Sequence, residues 1–357
     1  MYMQHMKQTL SLRRTAMSLT SHISLFAIAW ILLLASCGTH NGKSFSTSTP
    51  LSNISQRSVV PSKSDGWEKH KVANGIVYWV FSGYDPISGD SQIINVADID
   101  LNKGYKLKMA YSNGIPTTAS MVHRQNNAIV TMNAGYETSS IFVKIAGKVL
   151  FNMSNHQIFK TGVKNWKNDG GICIDKNGKI SICNSMCSKA GEDGKSQYGE
   201  ALAEQRIFYG EKMASMDNII SSAPLLIDNF NPVGNFYVPE MTAKQMSELN
   251  YENPLRHQGV RHPRTAVALT SNNHLLMFVV DGRRSNTNGF SAKELTSFLV
   301  KHFNPQYALN FDGGGSTTLC VAGYGDPETH VVNYPTDNKK FDHTGERKVS
   351  TYLYVIK

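Results

Sequence analysis

The chain has 357 residues, 41% hydrophobic and 18% charged, a balance that describes a globular protein and excludes disorder as the bulk state. Its formal net charge is +9 at pH 7, but the basic residues are scattered, with Arg283-Arg284 and Lys339-Lys340 as dense pairs. No basic helix is interleaved with aromatic residues, so no nucleic acid is expected as partner, and the positive excess suits a phosphorylated or otherwise anionic substrate instead.

At the front, Lys7, Arg13 and Arg14 precede an apolar run at 23–35 that is short for a membrane span, followed by Leu34-Ala35-Ser36-Cys37. This resembles a bacterial lipoprotein signal. Small residues before the cysteine fit a peptidase groove, and the Cys37 thiol carries the lipid that anchors the mature chain to the membrane. Residues 1–36 are then a signal peptide, and their loss leaves a charge of +6. Gly38, in place of an aspartate, points to the outer membrane by resemblance to sorted lipoproteins, and so to the cell envelope. Residues 37–65 are rich in Ser, Thr, Asn and Pro and read as a disordered tether, with folded sequence from 66 to 357.

Near Trp67, Asn74-Gly75 makes a turn before the aromatic and β-branched run Ile76-Val77-Tyr78-Trp79-Val80-Phe81. Strand-like segments follow at 92–100, 105–111, 128–132, 140–145 and 148–151. Asn177-Gly178 then turns a hairpin between 171–175 and 179–183, bringing Cys173 close to Cys183 or Cys187 in a compartment that permits disulfides. Zinc would want two close ligand pairs and Cys183 with Cys187 supplies one, so no metal is expected. Residues 191–217 read as an insert, 222–227 resume the β pattern, and 242–249 suit a short helix. A hairpin at 264–269 and 274–280 leads into Asp281-Gly282-Arg283-Arg284. Ser291-Ala292-Lys293-Glu294 is a capping box for a helix whose Leu295, Phe298, Leu299 and Phe303 share a face. Strands at 307–311 and 348–357 complete an α+β single domain with a mixed or antiparallel sheet core and a few helices. Such strand density argues against a doubly wound fold.

The segment Leu309-Asn310-Phe311-Asp312-Gly313-Gly314-Gly315-Ser316-Thr317 reads as a half-buried strand ending at a carboxylate inside a bare-backbone turn. It takes its place in an ordered set of short motifs. Asn133-Ala134-Gly135-Tyr136, Pro224-Leu225-Leu226, Arg261-His262-Pro263-Arg264-Thr265-Ala266, Asp281-Gly282-Arg283, residues 289–295 and 309–319, Asn333-Tyr334-Pro335-Thr336-Asp337 and Glu346-Arg347 together resemble the phosphodiester glycosidase family. Each motif is short; their number and order carry the resemblance. It implies hydrolysis of a sugar-1-phosphodiester at the glycosidic C–O bond, releasing a sugar and a phosphomonoester. No cofactor is required, and the partner is a sugar-phosphate or glycan substrate.

For that chemistry Asp312 is the leading carboxylate, as nucleophile or general base, or else a turn residue that caps its own loop. Arg264 is either the first anion clamp, holding a phosphate by two parallel hydrogen bonds, or half of a structural ion pair. Arg283 is a second cation or a solvated loop arginine. Asp281, at a strand end before glycine, is a second catalytic carboxylate or the group that orients an arginine. Asn133 binds a sugar hydroxyl or phosphate oxygen, or stabilises its turn. Gly313, Gly314, Gly315, Ser316 and Thr317 would offer N–H and hydroxyl donors to the ligand, although no Gly-Lys-Ser/Thr follows as in a P-loop. His262 beside Arg264 is an acid, a ligand or a hydrogen-bonded structural histidine. Two rivals stay open: another glycoside or phosphodiester hydrolase on the same scaffold, and a non-catalytic carbohydrate-binding lipoprotein.

Overall fold

Alternating side chains dominate the chain, and the computed structural model turns them into three antiparallel sheets. It describes residues 56–153, 166–185, 206–234, 241–250 and 253–357. Cys37, the tether up to residue 55, Cys187 and residues 191–205 of the expected insert lie outside the described residues. The N-terminal meander is β1 (Trp67–Ala73), β2 (Ile76–Asp85) and β3 (Asp90–Asp100), followed by β4 (Lys106–Tyr111), β5 (Val130–Asn133), β6 (Phe142–Ile145) and β7 (Lys148–Asn152). The cysteine hairpin is β8 (Gly170–Asp175) and β9 (Ile180–Asn184), and β10 (Met216–Ser222), β11 (Leu225–Asp228) and β12 (Asn231–Pro232) come next. The last third holds β13 (Arg264–Leu269), β14 (His274–Val280), β15 (Tyr307–Phe311), β16 (Leu319–Val321) and β17 (Thr351–Ile356).

Eight strands pair in the order β1-β2-β3-β14-β13-β15-β11-β12, five as β7-β6-β10-β8-β9 and four as β16-β5-β17-β4. The inner strands β13, β14 and β15 of the eight-stranded sheet are buried on both faces, which explains their nearly continuous apolar sequences. Along β14, Leu275, Met277 and Val279 join one core cluster with residues of the two smaller sheets, while Leu276, Phe278 and Val280 face the other way. There they pack with Leu295, Phe298 and Leu299 of the helix Ala292–His302. That helix opens with the expected capping box: Glu294 N–H donates to the Ser291 hydroxyl at 3.2 Å and Ser291 N–H to the Glu294 carboxylate at 2.8 Å.

Three features depart from the sequence expectations. β10 begins inside the expected insert and becomes the central strand of the five-stranded sheet. Short helices at Ala119–Gln125 and Pro254–Gly259, capped by Thr118 and Asn253, were not foreseen, since so few turns show no hydrophobic period. The end of the expected tether is tied to the body, for Asn304 Nδ2 donates to the Arg57 carbonyl at 2.9 Å and Val59 N–H to the Phe303 carbonyl at 2.8 Å. In the cysteine hairpin, Cys173 and Cys183 are free thiols with sulfurs 3.5 Å apart.

Candidate active site

β15 lies between β13 and β11, so the chain emerges from the middle of the large sheet at Asp312. The glycines that follow are required by contact rather than by flexibility. A Cβ on Gly313 would strike the Pro263 carbonyl, and one on Gly315 would strike the Arg347 guanidinium. Gly314 adopts φ +62°, with Arg283 Nη2 at 2.8 Å from where its Cβ would be. Two guanidinium groups therefore lie directly against the turn.

The turn separates two cavities that share Asp312. The smaller, about 80 Å³, is lined by Arg283, Arg347, Arg264, His262 and the three glycines, among others. The larger, about 330 Å³, is lined by Glu137, Lys167, Tyr136, Ser316, Arg347 and Lys348, among others. His257 and Arg347, like Asp312, border both. Asp312 is open to the cavities and enclosed by protein elsewhere. Burial pushes its carboxyl up to about 6; the Ser316 hydroxyl, Lys167 and Arg347 oppose the rise, and Glu137 adds to it. Burial and the nearby Arg264, His262, Lys167 and Arg283 hold His257 well below the usual imidazole range. Burial, then Arg264, Arg283 and Arg256, bring His262 down to about 3, so neither ring is cationic at neutral pH.

Several residues singled out in the sequence serve the scaffold. Arg264 is buried, and its Nε donates to the Phe290 carbonyl at 2.8 Å. Its Nη2 reaches the carbonyls of Val260 at 2.8 Å, His257 at 3.0 Å and Gln258 at 3.4 Å, so Nη2 holds the 257–260 backbone while Nε holds Phe290, and both nitrogens serve the backbone instead of clamping an anion. Asp281 is buried and lines neither cavity; its Oδ1 accepts from Tyr334 N–H at 2.9 Å and Asn333 Nδ2 at 3.1 Å. Asn333 also donates to the Thr317 carbonyl at 3.0 Å, so Asp281 braces the far end of the turn. Asn133 braces its near end: Nδ2 donates to the Asp312 carbonyl at 2.7 Å, and Oδ1 accepts from Thr318 N–H at 3.0 Å and the Thr265 hydroxyl at 3.1 Å. Thr317 is buried beside the Thr265 hydroxyl at 3.3 Å and lines neither cavity. The turn's own N–H groups are partly engaged as well, Gly314 with the Pro263 carbonyl at 2.8 Å and Ser316 with the Gly313 carbonyl at 3.1 Å. Positive charge against the turn itself comes from the Arg283 and Arg347 guanidinium groups, and Lys167 and Lys348 add to it along the larger cavity.

Among the lining residues to which the sequence motifs assign no role are Arg347, Glu137, Lys167 and His257. Arg347 belongs to the Glu346-Arg347 motif; its Nε donates to the Asp337 carboxylate at 3.0 Å, which aims it at Gly315. Glu137 follows the Asn133 motif by one residue. Lys167 comes from the single turn Trp166–Asn168, held in place by its neighbours: Asn168 accepts from Phe142 N–H at 3.0 Å and Asp169 from Leu225 N–H at 2.7 Å. His257 belongs to the unforeseen helix Pro254–Gly259 and packs on Trp166, ring centroids 4.8 Å apart.

Comparison with known proteins bears on the family and the fold. The family model described as phosphodiester glycosidase matches residues 126–356. Among solved structures, the chain resembles the catalytic domain of zebrafish N-acetylglucosamine-1-phosphodiester alpha-N-acetylglucosaminidase, auto-inhibited by its pro-peptide, with a TM-score of 0.53 and 18% identity over 84% of this chain and 87% of that one. A hypothetical protein from Synechocystis also scores 0.53, at 15% identity over 81% of this chain and 63% of that one. Both likenesses are of fold. No curated protein matches the chain.

Proposed function

This chain belongs to the phosphodiester glycosidase family, and from that premise we propose that it hydrolyses the glycosidic C–O bond of a sugar-1-phosphodiester, releasing free sugar and a phosphomonoester. The observation that carries the reading is the position of Asp312 at the seam between a small cavity bordered by arginines and a larger polar one. A phosphodiester fits the first, where Arg283 and Arg347 neutralise its charge, and a sugar fits the second. The bond between them, from the anomeric carbon to the bridging oxygen, then lies against Asp312. A carboxyl on the leaving-group side suits a general acid, since an attacking group must approach from the opposite face of the sugar. Protonated Asp312 donates to the bridging oxygen as the C–O bond breaks, a role distinct from the nucleophile or base expected from sequence.

Hydrolysis of a panel of methyl diesters of hexose and N-acetylhexosamine 1-phosphates in ¹⁸O-labelled water tests the reaction. Label is expected in the released sugar. Label in the phosphate would mean P–O cleavage and would remove the glycosidase reading, and binding without turnover would favour a carbohydrate-binding protein.

The same proposal places the enzyme in the cell envelope, anchored by lipid on Cys37. Its support is the basic and apolar leader ending in Leu34-Ala35-Ser36-Cys37. Cells grown with labelled palmitate should label the wild-type chain and not Cys37→Ala, and the variant should leave the membrane fraction. A Cys37→Ala chain that remains labelled and membrane-bound would eliminate this anchor.

A further inference from the structure

Hydrolysis with Asp312 on the leaving-group side leaves the opposite face of the sugar without an assigned group, and Asp281 is buried away from it. Among the described carboxylates bordering the larger cavity, Glu137 and Asp312 are the pair, and Glu137 does not border the smaller, arginine-lined one. Glu137 is thus associated with the sugar space and not with the phosphate space.

Its setting is built rather than incidental. The Glu137 carbonyl accepts from both Ser140 N–H and the Ser140 hydroxyl at 2.9 Å, which fixes the backbone just past the turn-bracing Asn133 motif. Its carboxylate pairs with Lys167 Nζ at 2.6 Å. The lysine side chain is only 5% exposed and crosses the Tyr136 ring at 5.2 Å and the Trp166 ring at 5.8 Å, so it is held by its packing. Glu137 itself is 45% exposed at the cavity mouth, where water has access.

We propose that Glu137 is the general base of the hydrolysis, activating a water at the sugar face remote from the phosphate. The inference rests on the reaction assigned above and names the second catalytic group for it. Glu137 accepts one proton from the water while the water oxygen bonds to the anomeric carbon. The bond to the bridging oxygen breaks, its electron pair goes to the phosphate oxygen, and that oxygen takes the proton of Asp312. Glu137 then gives its proton to solvent, from which Asp312 is reprotonated. One water is consumed, and the anomeric configuration inverts. The mutual electrostatics agree: Glu137 raises the proton affinity of Asp312, separating an acid from a base in one cavity.

The test compares wild type, Glu137→Gln and Glu137→Ala on a nitrophenyl diester of a sugar 1-phosphate that the wild type turns over. Glu137→Gln should lower kcat by about 10²–10⁴-fold with little change in KM. Azide should restore turnover to Glu137→Ala by forming a glycosyl azide, and early NMR of the wild-type product should show inversion. A Glu137→Gln enzyme within threefold of wild type would overturn the role while leaving the proposed reaction standing, as would retention with a trapped glycosyl-enzyme. A wild type that releases no sugar from any diester would sink the reaction itself and this role with it.

Discussion

Asp312→Asn is expected to reduce kcat on a sugar-1-phosphodiester by about 10²–10⁴-fold, with KM nearly unchanged, because it removes a transferable proton and keeps the shape of the turn. The pH dependence gives a sharper signature. Burial lifts the Asp312 carboxyl from 3.8 to about 6, so in the folded protein the acid form dominates below about 6. A reaction that uses this proton should lose kcat/KM as pH rises through about 6, and the falling limb should be absent in the residual activity of the asparagine variant. Stability has the same sign. A carboxyl whose folded pKa is raised binds its proton more tightly in the native state, so its ionisation costs stability as pH rises from about 4 to about 6. The asparagine variant should therefore melt at or slightly above the wild type at pH 8. Normal turnover, or an unshifted falling limb in a folded variant, would take the proton-donor role away from Asp312.

The strand and turn that carry this carboxylate were legible because their signals are local. Leu309 and Phe311 do enter the core between the sheets, and three consecutive glycines announce close approach. Asn310, expected on the open face, is buried instead, and its Nδ2 donates to the Ala223 carbonyl at 2.8 Å. What could not be read is the direction in which each polar side chain spends its hydrogen bonds. Asn133 and Asp312 are 179 residues apart, and Asp281 and Asn333 are 52 apart. An asparagine that binds a sugar and one that ties down a turn look the same until those distant segments meet. Glu137 and Lys167 have the same history, since neither belongs to a periodic pattern and their ion pair joins two separate elements.

Arginines at the site show how burial decides between these uses, and a pair of substitutions separates them. Arg264→Met is expected to lower unfolding stability by about 3–5 kcal/mol, because it leaves the carbonyls of Phe290, His257, Gln258 and Val260 without the guanidinium donors that now satisfy them inside the protein. The 257–263 segment that carries His257 and His262 should loosen with it, so activity falls together with the melting temperature. Arg283→Ala should act in the opposite way. Arg283 is solvent-exposed and in the left-handed region at φ +62°, so its removal takes little from the core. It borders the small cavity, however, and its loss should raise KM for the diester about tenfold or more while the unfolding free energy changes by less than roughly 0.5 kcal/mol. Denaturant melts and steady-state kinetics on both variants decide the matter. A stable Arg264→Met enzyme with a selective loss of substrate affinity would return Arg264 to the phosphate, whereas the expected split assigns anion binding to the exposed guanidinium and architecture to the buried one.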